Sequence, residues 1–126
     1  MRDTAGAYFV CGKAGNMNIN RKISKYNFNK GSVSRIKYIV IHYVGALGGA
    51  EDNCRYYGGG NRNASAHYFV GFNGEVWQCV EDANIAWHCG ASSYKHAECR
   101  NANSIGIETQ RAWAQQIKTG ILRTQQ

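Results

Sequence analysis

From Ile36 to Val44 the chain reads IKYIVIHYV, a run in which both alternating sets of positions are apolar or aromatic. Successive side chains on a strand point to opposite faces, so such a run predicts a central strand covered on both sides of a sheet. It is the strongest strand signal in the chain. His42 lies near the end of the run, which stops at a glycine-rich break, GALGG at residues 45–49. Strand ends are where a sheet presents side chains to a cleft, and glycines behind the strand leave space for a ligand.

The rest of the chain supplies partners for that strand. AEDNCRYY, residues 50–57, puts Ala50, Cys54 and Tyr57 at helical spacing with acidic residues early, which predicts a short helix. HYFVGFNGEVWQCV, residues 67–80, is two runs of strand formers joined at Asn73-Gly74, the signature of a hairpin. NIAWHCGASSYKHAEC reads as a long loop and NSIGIE as a further short strand. Residues 1–35 carry no sustained period, with Ile23, Tyr26 and Phe28 as isolated anchors and Met17 a candidate start. The expected fold is α/β: a central mixed sheet including residues 36–44, 67–72, 75–80 and 104–108, with helices packed outside. Residues 1–16 read as an extension, 17–108 as the domain and 109–126 as an atypical tail.

With 126 residues, 44% of them hydrophobic, the chain has one domain's worth of core, and no apolar run approaches the roughly 20 residues of a membrane span. A formal charge of +7 implies anionic company, whether nucleic acid, anionic lipid or acidic wall polymers. The basic residues are scattered, with a loose cluster at Arg21, Lys22, Lys25, Lys30, Arg35 and Lys37, so no phosphate-tracking stripe emerges. Nucleic acid is therefore not the expected partner. Five cysteines without a Cys-x-x-Cys pair suggest a reducing compartment, and AGAYFV near the amino terminus is too short for a signal peptide. Synthesis in the cytoplasm is expected, and if the protein reaches a cell wall something else must deliver it.

The ordered blocks YIVIHYVG, GGNRNASAHYFVGFNGEVWQCVEDANIAWHCG and NANSIGIE resemble the zinc-dependent N-acetylmuramoyl-L-alanine amidases, a family including phage endolysin amidases and sharing its fold with peptidoglycan recognition proteins. The resemblance runs from about Met17 to Glu108. It implies a zinc cofactor with His42 as the first metal ligand, and Glu108 as a catalytic acid/base beside the metal. It also implies that Trp87 and His88 line the groove holding the muramyl peptide of peptidoglycan. His67 falls on a family motif where the histidine does not bind metal, and a hydrogen-bonded structural role is expected for it. The implied reaction is hydrolysis of the amide between N-acetylmuramic acid and L-alanine. Zinc suits it, because it polarises the carbonyl and lowers the pKa of bound water from about 15.7 to about 7.

The chain departs from the family after Glu108. Two further zinc ligands are implied there, yet TQRAWAQQIKTGILRTQQ contains no His, Cys, Asp or Glu. A frameshifted tail would account for this, and the family's ending would then be found in another frame of the coding DNA. His88, Cys89, His96 and Cys99 offer thiolate and imidazole in an H-C-x6-H-x2-C pattern, for which free thiols are the plainer account. Trp113, Ile117 and Ile121 lie at helical spacing and could partly cover a sheet face left bare by the altered tail; otherwise self-association is expected. Two alternatives to an active amidase remain at this level: a peptidoglycan-binding module of the same fold without metal, and a basic nucleic-acid-binding protein.

Overall fold

The computed structural model describes residues 17–43, 48–90, 96–110 and 120–123. Eight strands and one α-helix make up its regular elements: β1 (Ile19–Arg21), β2 (Phe28–Asn29), β3 (Tyr38–Tyr43), α1 (Ala50–Gly58), β4 (Tyr68–Val70), β5 (Val76–Gln78), β6 (Ile85–Ala86), β7 (Ser104–Thr109) and β8 (Gly120–Arg123). Six strands form a mixed sheet in the order β1-β5-β4-β7-β3-β8, and β2 pairs with β6 in a small second sheet. The α/β expectation holds, with the run at residues 36–44 near the sheet's centre as β3, parallel to β7 and antiparallel to β8.

Register decides which side chains share a face. Trp77 lies opposite Phe69, Phe69 opposite Glu108, and Glu108 opposite His42, so these four emerge in one row on the same side of the sheet. That side is the covered one. Toward β4 and β5 it carries α1, whose Ala50 and Cys54 pack with Ala66, Phe69 and Cys79. Tyr57 adds a stacked contact on Phe69 with ring centroids 5.7 Å apart. Toward β3 it carries the segment between β6 and β7, with Cys99 and Cys89 against Tyr38 and Val40.

Three expectations need correction. Tyr38 and Val40 are 3% and 2% exposed while Ile39 and Ile41 are only half-buried, so β3 is fully covered on one face rather than two. The reason is that, among the described residues, the helix and residues 86–90 and 96–103 sit on the side of Tyr38 and Val40. Ile121 belongs to a strand rather than a helix, because the backbone of β3 offers an unpaired ladder that residues 120–123 complete. Trp113 and Ile117 lie outside the described residues. Finally, residues 19–21 of the supposedly irregular approach segment pair in parallel with β5.

The hairpin is present, though its connection spans residues 71–75 rather than a two-residue turn, with Gly74 at φ 84°. Helix α1 begins where the acidic residues predict, and Asp52 Oδ2 accepts the Gly49 N–H at 3.1 Å. Asn27, at φ 66°, shapes the neighbouring loop: its amide donates to Tyr57 O and Gly60 O, and its Oδ1 accepts from Arg62 N and Asn63 N.

Candidate active site

A cleft of about 560 Å³ opens on the covered face between α1 and the segment after β6. Phe69 and Glu108 contribute from the sheet; Tyr57, Asn63, Trp87, His88 and Asn101 are among the residues that line it with them. Three of the four residues singled out from sequence, Glu108, Trp87 and His88, thus meet in one cavity. The fourth, His42, is beside them, with its Nε2 3.1 Å from His88 Nδ1.

Glu108 is positioned by β7 and shielded by the cleft walls. Burial disfavours its charged form and raises its pKa from 4.5 to about 7. Trp87 is held at the rim by its indole N–H, which donates to Asn29 Oδ1 at 2.8 Å. The turn after it is clamped from below, since the N–H groups of His88 and Cys89 both donate to Asn101 Oδ1, at 3.0 and 2.7 Å. Asn101 is a functional candidate that the sequence reading missed. An asparagine in a loop carries no signal of which turn it braces.

His88 lies directly over β7, where Gly106 makes room for it: a Cβ at that position would fall 2.4 Å from His88 Cγ. Beneath it, His67 is completely buried and structural. Its Nδ1 accepts the Gly106 N–H at 3.0 Å, so a neutral ring carries its proton on Nε2, which donates to Asn84 O at 2.8 Å. The guanidinium of Arg35 gathers around the same carbonyl, and also donates to Ala83 O and Ser104 O at 3.1 and 2.8 Å. Burial, then the Arg35 charge, keeps His67 neutral, with its pKa lowered to about 4 despite the Asn84 hydrogen bond.

The second feature missed from sequence is the company His42 keeps. His42, His88 and Cys89 bring one donor atom each within 4.8 Å of the others, and Cys89 Sγ is 3.3 Å from His88 Nδ1. Tetrahedral Zn–N and Zn–S bonds of about 2.05 and 2.3 Å require N···N and N···S separations of about 3.3 and 3.6 Å. The observed 3.1 and 3.3 Å are close to those values. Burial lowers the pKa of both imidazoles, that of His88 to about 3 with the help of nearby His42, His67 and Arg35, so both are neutral at pH 7 with a lone pair to offer. Burial, and then Cys99 beside it, pushes the Cys89 thiol up to about 11, so a bound metal must displace its proton. Two imidazoles and a thiolate are a borderline-soft set suited to zinc, and three donors leave a fourth position open.

The H-C-x6-H-x2-C pattern is split by the fold. His88 and Cys89 join His42, whereas His96 Nδ1 accepts from Glu98 N and Cys99 N and its ring packs edge-on against Tyr38. Cys54, Cys79, Cys89 and Cys99 are free thiols.

Comparison with known proteins gives a consistent set of matches. The family model for N-acetylmuramoyl-L-alanine amidase (Amidase_2) matches residues 32–119. N-acetylmuramoyl-L-alanine amidase AmiD of Escherichia coli (strain K12) is 32% identical over a match that covers 86% of this chain and 42% of AmiD. Among solved structures, PlyL superposes with a TM-score of 0.62 at 23% identity, over 76% of this chain and 59% of PlyL, a likeness of fold. The selenomethionine derivative of AmpD gives 0.53 at 28% identity, over 73% of this chain and 60% of AmpD. The chain therefore spans less than two thirds of the length of each of these relatives.

Proposed function

Because this chain belongs to the N-acetylmuramoyl-L-alanine amidase family, we propose that it hydrolyses the amide between N-acetylmuramic acid and L-alanine in peptidoglycan. In this reading His42, His88 and Cys89 hold a zinc ion and Glu108 moves the proton. The observation that carries it is the placement of a carboxyl with a pKa of about 7 in a cleft, register-paired with a histidine of a three-donor cluster.

When bound, zinc supplies Lewis acidity toward the amide carbonyl and toward water, whose pKa falls from about 15.7 to about 7. Glu108 does the rest of the proton work. Near neutral pH its carboxyl is divided between protonated and ionised forms, so it accepts a proton from the attacking water and returns it to the departing amine of L-alanine. Burial makes this possible, since a solvated glutamate would be too weak a base at pH 7. Trp87 and Tyr57 line the cleft with aromatic rings for the apolar faces of the muramyl group, while Asn63 and Asn101 add polar groups for the peptide. The net charge of +7 favours approach to an acidic wall.

One observation favours a second reading. Residues 109–126 hold no His, Cys, Asp or Glu, so this segment offers none of the further zinc donors that the family resemblance implies, and a peptidoglycan-binding module without turnover is the second reading. Digestion of purified sacculi by the zinc-loaded protein distinguishes the two. Amidase action releases peptides with new L-alanine amino termini, identified by mass spectrometry, and both His42→Ala and Glu108→Gln remove the release. Sacculus binding without any new amino termini would leave the binding module and overturn catalysis.

A further inference from the structure

We propose that Ser104 is a positioning residue that makes His88 a metal ligand through Nδ1, by fixing which ring nitrogen carries the proton. The inference rests on the reading of His42, His88 and Cys89 as a zinc site, and concerns a residue outside that donor set.

The shorter of two hydrogen bonds sets the arrangement. Ser104 is completely buried at the start of β7, and its hydroxyl has a single proton. Arg100 O, which also accepts the Asn103 N–H at 3.2 Å, lies 2.7 Å from Ser104 Oγ and can only accept, and this shorter contact takes the hydroxyl proton. The oxygen then accepts from His88 Nε2, 3.0 Å away. A neutral His88 must then carry its proton on Nε2. Its Nδ1 is bare, and this is the nitrogen 3.1 Å from His42 Nε2 and 3.3 Å from Cys89 Sγ.

Two other contacts hold the ring to this choice. Gly106 lets the imidazole lie against β7, and Asn101 Oδ1 anchors the backbone of residues 88 and 89. The tautomer that puts the proton on Nδ1 would aim an N–H into the cluster and leave Ser104 Oγ only the thiols of Cys89 and Cys99, weaker donors beside it. In metal-free protein the bare Nδ1 accepts a hydrogen bond from His42 Nε2–H. With zinc present the same lone pair is a ligand. Partners of this kind, which orient a ligating histidine through its other nitrogen, typically contribute about 10- to 100-fold to metal affinity.

The test needs no turnover. Long-range ¹H–¹⁵N correlation spectra of the metal-free protein report the His88 tautomer directly: protonated Nε2 with bare Nδ1 is expected, and protonated Nδ1 would overturn the proposal without any substitution. Competition with a chromophoric chelator then measures zinc affinity. Ser104→Ala is expected to weaken it about 10- to 100-fold and to shift the His88 resonances toward a mixture of tautomers. Ser104→Thr, which keeps the hydroxyl, is expected to restore both. Unchanged affinity and tautomer in Ser104→Ala would sink the role of Ser104 while leaving the zinc site standing. His42→Ala and Cys89→Ser serve as references. If both bind zinc as the unaltered chain does, and cobalt loading gives no thiolate-to-metal charge-transfer band, the donor set falls and the role of Ser104 with it.

Discussion

Replacing Glu108 by glutamine is expected to stabilise the metal-free protein at alkaline pH while abolishing turnover. The side chain keeps its shape and loses its charge. In the folded state burial raises the Glu108 carboxyl from 4.5 to about 7. At about 1.36 kcal/mol per pKa unit, the gap amounts to roughly 3 kcal/mol of native-state cost for the ionised form. Below the unfolded value both states hold the proton and the cost is absent. Between the two values the native state keeps a proton that the unfolded state has lost, so stability falls as pH rises; above about 7 the cost is complete. Urea unfolding followed by tryptophan fluorescence, with chelator present, reads this out. Glu108→Gln and the unaltered chain should agree near pH ~4 and diverge by roughly 3 kcal/mol near pH ~8.5, with the glutamine variant the more stable. Parallel stability curves across that range would refute the claim that Glu108 is poised by burial, and with it the basis for assigning it proton transfer.

Gly106→Ala should displace His88, because the new Cβ would fall 2.4 Å from its ring; a loss of about 1–3 kcal/mol and of stoichiometric zinc is expected, measured by unfolding and elemental analysis. Wild-type zinc content in that variant would show that His88 is not required to lie against β7. His67→Ala leaves the Gly106 N–H without its side-chain partner and Asn84 O with the Arg35 guanidinium alone, and is expected to cost about 2–4 kcal/mol, through lost hydrogen bonds and a buried cavity; a cost no larger than that of an exposed substitution would contradict its structural role. Trp87→Ala should weaken retention on purified sacculi while leaving the thermal midpoint nearly unchanged, as its ring lines the cleft rather than the core, and unaltered retention would remove it from the binding surface. Zinc uptake at neutral pH should release at least one proton per chain, from the Cys89 thiol, with a further fraction from water at the open position, since both imidazoles are already neutral; calorimetry in buffers of different ionisation enthalpy counts it, and zero protons would exclude Cys89 as a ligand.

What the sequence determined by itself is whatever depends on neighbours along the chain. The double apolar alternation at residues 36–44, the spacing of Ala50, Cys54 and Tyr57, and the strand formers around Asn73-Gly74 each specify an element through side-chain periodicity, and each element is present. The order of those blocks pointed to the amidase family, and hence to His42, Glu108, Trp87 and His88. Register and partnership were left to the tertiary structure. Nothing local tells Ile19–Arg21 that β5 is open for parallel pairing, or tells residues 120–123 to extend along β3 instead of coiling. The same holds for the site. His42 and Cys89 are adjacent only because β3 pairs with β7 while the turn after β6, braced by Asn101, lies over Gly106. The contact proposed to set the His88 tautomer is more remote still from the sequence, for it joins His88 Nε2 to a hydroxyl that also reaches Arg100 O across a turn. Periodicity is a property of one segment, whereas a donor set is a property of three segments meeting, and only the folded chain brings them to one point.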